Sequence, residues 1–335
     1  MIPTLHAGAD LRDTLDSLAA QTFRDFDVIV VDNSGERLAA KHATGRALDL
    51  MVLYMETNVG FGAAINRALA ETSSPLIAIL NDDAPPHAEW LSALVSAATT
   101  FPEFGMFSCQ IRLANSDSLD STGMELSRDG SSIQRGHGNA WREESFPVEC
   151  LLPSGCAALY RRKALDEATE AGAPGPFDEA FRLYCEDTDL GLRLLWQSWR
   201  CRYVHDAVVE HRYSRSAGPI SPLKAYLVER NRLFVVMKNF PFSDTIAALA
   251  YAPLRYLYHL LAIFGGQGKS GAFARSSHGW KLPWFVVKAH FAALIALPRL
   301  LRQRHGIRRR ARLSKTQFRR AIYTHRVSLR KVAQH

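Results

Sequence analysis

After Asp244 the sequence contains no further Asp or Glu, although 18 Lys and Arg follow before His335. That absence excludes an evenly charged chain. The formal net charge of +8 hides a first part, residues 1–244, in which 23 bases meet all 33 acids, a net of −10. Such a split predicts an acidic globular body carrying a basic interaction tail. Cysteine is also scarce. Cys109, Cys150, Cys156, Cys185 and Cys201 are odd in number and lack metal-ligand spacing, which argues for buried free thiols in a reducing compartment. No charged n-region or long apolar run accompanies Met1-Ile2-Pro3-Thr4, so no signal peptide is visible and a cytoplasmic location is expected. No internal repeat is present.

What is present is a strand–helix alternation. The 335 residues suffice for a full α/β core and a further module. Phe26 to Val31, Met51 to Met55 and Leu76 to Leu80 read as strands. Leu11 to Gln21 (with Asp10 as cap), Leu38 to Leu48, Phe61 to Glu71 and Glu89 to Thr99 read as helices between and after them. This pattern predicts a mostly parallel sheet with helices on both faces. The first strand is short, since Met1-Ile2 alone precede Pro3. Residues 105–150 lose the helical period and predict short antiparallel strands and loops over one sheet edge. A strand is expected at Cys156 to Tyr160, a helix at Arg162 to Glu170, a break at residues 171–176 and a strand at Cys201 to Val204. Helices are then expected at Leu223 to Asn239, Asp244 to Phe264 and Trp284 to Arg302.

Two acidic signatures carry the chemistry. Asn81-Asp82-Asp83 follows the apolar run ending at Leu80, at the carboxyl end of a strand, where open α/β sheets bind ligands. Its oxygens suit a divalent metal, Mg²⁺ or Mn²⁺, neutralising a leaving diphosphate. A polar turn before Pro85-Pro86 is the plainer alternative. Glu186-Asp187-Thr188-Asp189 precedes the apolar run from Leu190 and belongs to a helix N-terminus, where the dipole favours ionised carboxylates. It suits a general base, though first-turn acids are often ordinary caps. Together the signatures suggest transfer from a nucleotide-activated donor.

The loop Asn58-Val59-Gly60-Phe61-Gly62-Ala63-Ala64-Ile65-Asn66 half-matches G-x-G-x-x-G. Ile65 replaces the third glycine and the loop follows the third strand, which argues against a dinucleotide site. A glycine-rich helix start explains it better. His211 is a third metal ligand or a core histidine, and taken alone the core reading wins.

In order along the chain, Ile2-Pro3-Thr4, Gln21-Thr22-Phe23, Val30-Val31-Asp32-Asn33-Ser34, Asn58-Val59-Gly60-Phe61-Gly62, Leu80-Asn81-Asp82-Asp83 and Glu186-Asp187-Thr188-Asp189-Leu190 resemble the family 2 glycosyltransferases of the GT-A fold. The likeness is to the bacterial rhamnosyltransferase-like branch and covers roughly residues 1–240. Pro153-Ser154-Gly155-Cys156 resembles that family's acceptor-side loop. The resemblance implies a GT-A-type nucleotide-binding α/β domain and an inverting transfer to an acceptor hydroxyl. By it, Thr4, Asp32, Asn58, Gly60, Asn66, Asn81, Asp82 and Asp83 belong to the donor site, with Asp83 and His211 as metal ligands. Asp187 matches the catalytic base, and Glu186 and Gly155 lie on the acceptor side. Asn81 stands where the family's Asp-x-Asp motif has its first acid, which alters the number of protein–metal contacts.

The acid-free tail adds a second theme. Thr245 to Phe264 approaches the ~20 residues a membrane span needs, but Pro253, Arg255 and His259 interrupt it and favour an interfacial amphipathic helix. Trp284 to Leu301 has the same character. Each Lys or Arg near an anionic leaflet contributes about 1 kcal/mol. The division expected is a catalytic domain at 1–240 and a basic, amphipathic helical, membrane-associating extension at 241–335, peripheral at the inner face of the cell membrane. The alternative is a helical subdomain packed on the core. Nucleic acid is not expected as a partner, because no binding motif accompanies the charge.

The sequence thus predicts a metal-dependent glycosyltransferase using a nucleotide-sugar donor, with dTDP-rhamnose expected, and a glycan or glycolipid acceptor. Two rivals stay open at this point. One is a catalytically silent nucleotide-sugar-binding module held at membranes; the other is a nucleotidyltransferase. Glu186-Asp187 argues against the latter, since nucleotide transfer needs no such base.

Overall fold

β-Branched residues dominate Val28–Asp32 (β2), and all five of its residues are buried, as expected of a strand covered on both faces. In the computed structural model, which describes residues 1–42, 45, 47–142, 146–212, 221–264 and 281–334, β2 lies between Ile2–Thr4 (β1) and Leu50–Tyr54 (β3), parallel to both. Ala9–Ala19 (α1) and Phe61–Ala70 (α2) flank these strands. Leu76–Leu80 (β4) continues the sheet from β1, since the Leu80 N–H donates to the Met1 carbonyl at 3.1 Å. Trp90–Thr100 (α3), Phe104–Leu113 (β5), Leu119–Ser121 (β6), Met124–Ser127 (β7), Ser132–Gln134 (β8) and Glu149–Cys150 (β9) follow. Next come Ala157–Arg161 (β10), Arg162–Ala168 (α4), Glu186–Trp196 (α5) and Arg200–His211 (β11).

The strand order is β4-β10-β5-β11-β9, with β6 against β5. β10 runs antiparallel to β4 and β5, whereas β11 is parallel to β5. Alternation along the strands divides the core. Val28 and Val30 join α1 and α3 residues such as Leu15 and Leu94 on one face, while Ile29 and Val31 pack with Ala64 and Ala68 of α2 on the other. Ile77, Ile79 and Tyr160 meet Leu190 and Leu194 of α5. Each buried Val, Leu or Ile contributes about 1.5–3 kcal/mol. The fold is therefore mixed α/β, with a parallel sheet covered by helices on both faces.

Three elements differ from the sequence expectations. Leu38–His42 is a single 3₁₀ turn in place of the start of a long helix, pinned where the Ala39 N–H donates to Asp32 Oδ2 at 2.6 Å. Residues 105–150 do not begin as edge structure: β5 is ten residues long, central, and buried over its first eight. Burial on both faces removes the alternation that would have announced it. β11 extends far beyond Val204, across an irregularity between Val204 and Val208 that breaks the period.

The chain folds as two compact units, Met1–Met124 with Gln134–Ser216, and Glu125–Ile133 with Ala217–His335. The second unit contains Pro222–Asn239 (α6), Phe242–Phe264 (α7), Leu282–Arg310 (α8), Lys315–Thr324 (α9), Arg326–Val327 (β12) and Leu329–Gln334 (α10). β12 pairs with β7 through Leu126 and Ser127.

Candidate active site

Thr4, Asp32, Asn81 and His211 all stand at or just beyond the carboxyl ends of parallel-sheet strands, so the sheet itself gathers them along one edge. Residues 83–86 then run beside the end of β11. The Arg212 N–H donates to the Asp83 carbonyl at 3.0 Å and the Glu210 N–H to the Pro85 carbonyl at 3.1 Å. This brings Asp83 Oδ1 to 3.4 Å from His211 Nε2, both nearly buried. The other ring nitrogen, His211 Nδ1, lies 2.8 Å from Asp120 Oδ2. Asp120, on β6, also takes His137 Nδ1 at 3.1 Å on its second oxygen.

The donor chemistry here fits a divalent ion. A hard carboxylate oxygen and an imidazole nitrogen converge, and the far side of the imidazole is held by a second carboxylate, the usual support of a ligating histidine. Ligand atoms of Asp120, Cys156 and His211 also lie within 4.8 Å of one another. That trio suits the ion less well. Asp120 is occupied by two imidazoles. Burial pushes the Cys156 thiol up, so it stays protonated and is a poor ligand for Mg²⁺ or Mn²⁺. Although burial works against charge on His211, the carboxylates of Asp120 and Asp83 hold its pKa well above the ordinary value, so an ion beside Asp83 would have to displace the proton on Nε2. Despite burial, the two imidazoles keep Asp120 well below its own. Asp82 is different. Burial raises it to about 6, partly offset by the hydroxyl of Thr4, which donates to Asp82 Oδ2 at 2.5 Å.

The second acidic pair opens α5. Arg182, Tyr184 and Cys185 precede it with φ of 63°, 71° and 63°, left-handed values that cost about 1–3 kcal/mol each for non-glycine residues. Strain of this kind delivers Glu186 and Asp187 at the helix start. Asp187 Oδ1 accepts from the Thr188 N–H at 2.6 Å and Oδ2 from the Gly155 N–H at 3.0 Å. Burial raises its pKa, opposed by those amides. Glu186 is buried with Oε2 lacking a hydrogen-bond partner, and burial beside Asp187 pushes it up to about 8. At neutral pH Glu186 is therefore a protonated donor beside Asp187.

One segment serves both pairs. The Gly155 N–H holds Asp187, while the next residue, Cys156, accepts from the Asn81 N–H through its carbonyl at 2.8 Å. A side chain at Gly155 would start 3.3 Å from Asp187 Oδ2, a tight contact that the carboxylate would have to relieve by moving a few tenths of an ångström.

The family model "Glycosyl transferase family 2" matches residues 1–169. The chain is 30% identical over 255 residues to a Mycobacterium tuberculosis protein named N-acetylglucosaminyl-diphospho-decaprenol L-rhamnosyltransferase, covering 67% of this chain and 79% of that one. The chain belongs to glycosyl transferase family 2. It is a glycosyltransferase acting with a nucleotide-sugar donor. It is also 28% identical over 205 residues to the O-antigen biosynthesis protein RfbC of Myxococcus xanthus, over 57% of this chain and 15% of that one. Among solved structures, S. aureus TarS 1–349 in complex with UDP superposes with a TM-score of 0.53 at 18% identity, covering 97% of this chain and 89% of that chain, a likeness of fold.

The other residues expected on the donor side of this family 2 transferase divide into two groups. Asn58 shapes its own loop: its Oδ1 accepts from the Gly60 N–H at 2.9 Å and from Asn33 Nδ2 at 3.1 Å. Gly60 has φ of 92°, and a Cβ there would sit 2.5 Å from the Arg182 carbonyl oxygen. Asp32 and Asn66 are occupied by protein. Asp32 Oδ1 accepts from Ser34 and Oδ2 from Ala39. Asn66 bonds the Phe177 backbone at both ends, with Nδ2 to the carbonyl at 2.9 Å and Oδ1 from the N–H at 3.0 Å. Sequence reading missed Asn33, Asp120 and His137. Asn33 was visible as part of the turn after β2. Asp120 and His137 meet His211 only through β5, β6 and β11, and no local spacing announces them.

Proposed function

We propose that this transferase moves a sugar, with inversion, from a nucleoside-diphosphate sugar to a hydroxyl of a lipid-linked cell-surface glycan, with dTDP-rhamnose as donor. The observation that carries the reading is the Gly155-Cys156 backbone, which ties Asp187 to the strand end bearing Asp83. In this reading Asp187 takes the acceptor proton as the acceptor oxygen bonds to the anomeric carbon. The bond from that carbon to the diphosphate breaks on the opposite side, and its electron pair leaves with the nucleoside diphosphate. Protonated Glu186 donates to the acceptor and fixes its orientation. Desolvation gives Asp187 more basicity than an exposed aspartate has, which favours general-base work near neutral pH.

Asp83 and His211 would hold the divalent ion, with Asp120 orienting His211. Bound there, the ion supplies neutralisation of charge on the leaving diphosphate. Thr4, Asp82 and the Asn58–Gly60 loop form the donor side, while Asp32 braces the turn from Ser34 to Ala39 and Asn66 braces residues 177–179. The rhamnosyl donor and lipid-linked acceptor are supported by the name of the mycobacterial relative. We place the enzyme in the cytoplasm, peripheral at the inner membrane face, where a lipid-linked acceptor is presented, with the basic extension as its contact. The test is purified protein against a panel of nucleotide sugars and polyprenyl-diphosphate-linked acceptors, with and without Mn²⁺. Transfer from dTDP-rhamnose alone, dependent on the ion, is expected; equal transfer after chelation would overturn the metal assignment.

A further inference from the structure

The second unit buries one cluster of charged side chains and exposes a set of large apolar ones. Asp129, Glu229, Arg232 and Arg255 are all nearly buried and paired: Arg232 with Glu229 at 2.7 Å, Arg255 with Asp129 at 3.1 Å, and Arg255 with Glu229. Tyr256 donates to Glu229 at 2.8 Å. Of the 18 exposed large hydrophobic residues among those described, 13 lie on α7 and α8.

Their spacing is orderly. On α7, Ile246, Leu249, Leu254, Leu257, Leu260 and Leu261 are exposed, and Thr245, Ala248, Ala252 and Arg255 are buried. At about 100° per residue the exposed set fills one sector of roughly 140°. On α8, Trp284, Val287, Phe291, Leu294, Ile295 and Leu301 fill a sector of about 120°, opposite buried Ala289, Ala293, Leu300 and Ile307. Arg302 and Arg309 continue that sector past its apolar end. The two helices lie side by side and antiparallel: the Tyr256 ring is 6.5 Å from that of His290, and Arg304 donates to Thr245 Oγ1 at 3.1 Å. Each apolar sector stands roughly a quarter turn from that seam. Because the helices are antiparallel, both quarter turns point the same way, and the buried faces point together toward α6.

We infer that α7 and α8 form one flat apolar floor that enters a single leaflet of an anionic bilayer and does not cross it, an inference that rests on the membrane placement proposed above. By length and composition alone, Phe242–Ile263 and Leu282–Arg310 could each span. The packing opposes that use. A span shows apolar surface to lipid around the circumference left free by protein, whereas these helices expose large apolar side chains on one sector and pack the opposite sector on protein, α7 with Arg255 paired to Asp129 and Glu229. Withdrawing Arg255 from Glu229 and Asp129 would also leave buried charges unpaired. Charge selects the occupant: no Asp or Glu follows Asp244, and exposed Arg302, Arg309, Arg310 and Arg312 at the end of the floor match anionic headgroups.

The test uses the full chain, because ending it at Asn239 would strip the cover from the Glu229–Arg232 pair. Vesicles of phosphatidylglycerol and phosphatidylcholine are compared with phosphatidylcholine alone. Expected are preferential binding to the anionic vesicles, release of most protein by alkaline carbonate, and stronger quenching by lipids brominated near the headgroup than near the chain end. Trp284→Phe should remove most of that quenching. The double variant Leu257→Glu/Phe291→Glu should lower vesicle affinity at least tenfold while nucleoside diphosphate binding stays unchanged. Vesicle binding that resists carbonate, with deep quenching, overturns the single-leaflet inference and leaves the membrane placement standing. No vesicle binding, with a dimer that the double variant dissociates, means a second copy covers the floor, and both readings fail.

Discussion

His211 presents one ring nitrogen to Asp83 and the other to Asp120, 3.4 Å and 2.8 Å away respectively, so its imidazole is fixed from both sides. His137 closes the arrangement by occupying the second oxygen of Asp120 at 3.1 Å. The histidine proposed to hold the ion is therefore oriented by residues from an otherwise irregular part of the chain.

Asp120→Asn keeps the size of the side chain and removes its charge. Loss of such support commonly costs about 10–100-fold in metal affinity. Calorimetric titration of Mn²⁺ in the presence of nucleoside diphosphate should show a weakening in that range, with donor KM rising more than kcat falls. A purely structural role would instead lower Tm and leave the affinity of the folded fraction unchanged.

Asp83→Ala should weaken Mn²⁺-dependent binding of nucleoside diphosphate more than His211→Ala does, because it removes the carboxylate. Wild-type protein that binds the diphosphate equally well with and without Mn²⁺ would refute the assignment.

Asp187→Asn removes the proposed base but not its volume. Transfer should fall by about 10²–10⁴-fold while donor binding stays near wild type. Single-turnover transfer and diphosphate titration on the same preparation separate the two.

Glu186 supplies a pH signature. Burial raises its pKa from 4.5 to about 8, so the native state holds a proton that the unfolded chain has released between those values. Its contribution to stability is complete below about 4.5 and is lost as pH rises through 8. Glu186→Gln should flatten that decline, gaining Tm relative to wild type as pH increases and levelling off above 8. Thermal melts from pH 5 to about 9 check the sign. The transfer rate has an acid limb of its own, set by protonation of Asp187 at a pH above the usual aspartate range.

Gly60→Ala places a methyl 2.5 Å from the Arg182 carbonyl at a φ of 92°. A loss of more than about 1 kcal/mol is expected, from strain and clash together. Denaturant melts measure it, and donor KM should rise with it.

Much of this was legible in the sequence because it is local. β2 and β4 announce themselves as apolar runs, and Asn81-Asp82-Asp83 and Glu186-Asp187 are contiguous signals at element ends. β5 was not legible, since burial on both faces erases its alternation. Nor was Asp120, whose meaning depends on a histidine 91 residues away. The two-sector geometry of α7 was only half legible. Arg255 reads as an interruption of an apolar run, and its pairing with Asp129 and Glu229 is what turns that interruption into the polar side of the helix.

Gly155 and Cys156 are consecutive, yet one steadies Asp187 and the other Asn81. A shift of this backbone that loosens one grip loosens the other. Losses from substitutions at Asp83 and at Asp187 should then fail to add, although the two side chains belong to separate motifs. The coupling energy of that double-mutant cycle measures how far donor and acceptor chemistry share one stretch of main chain.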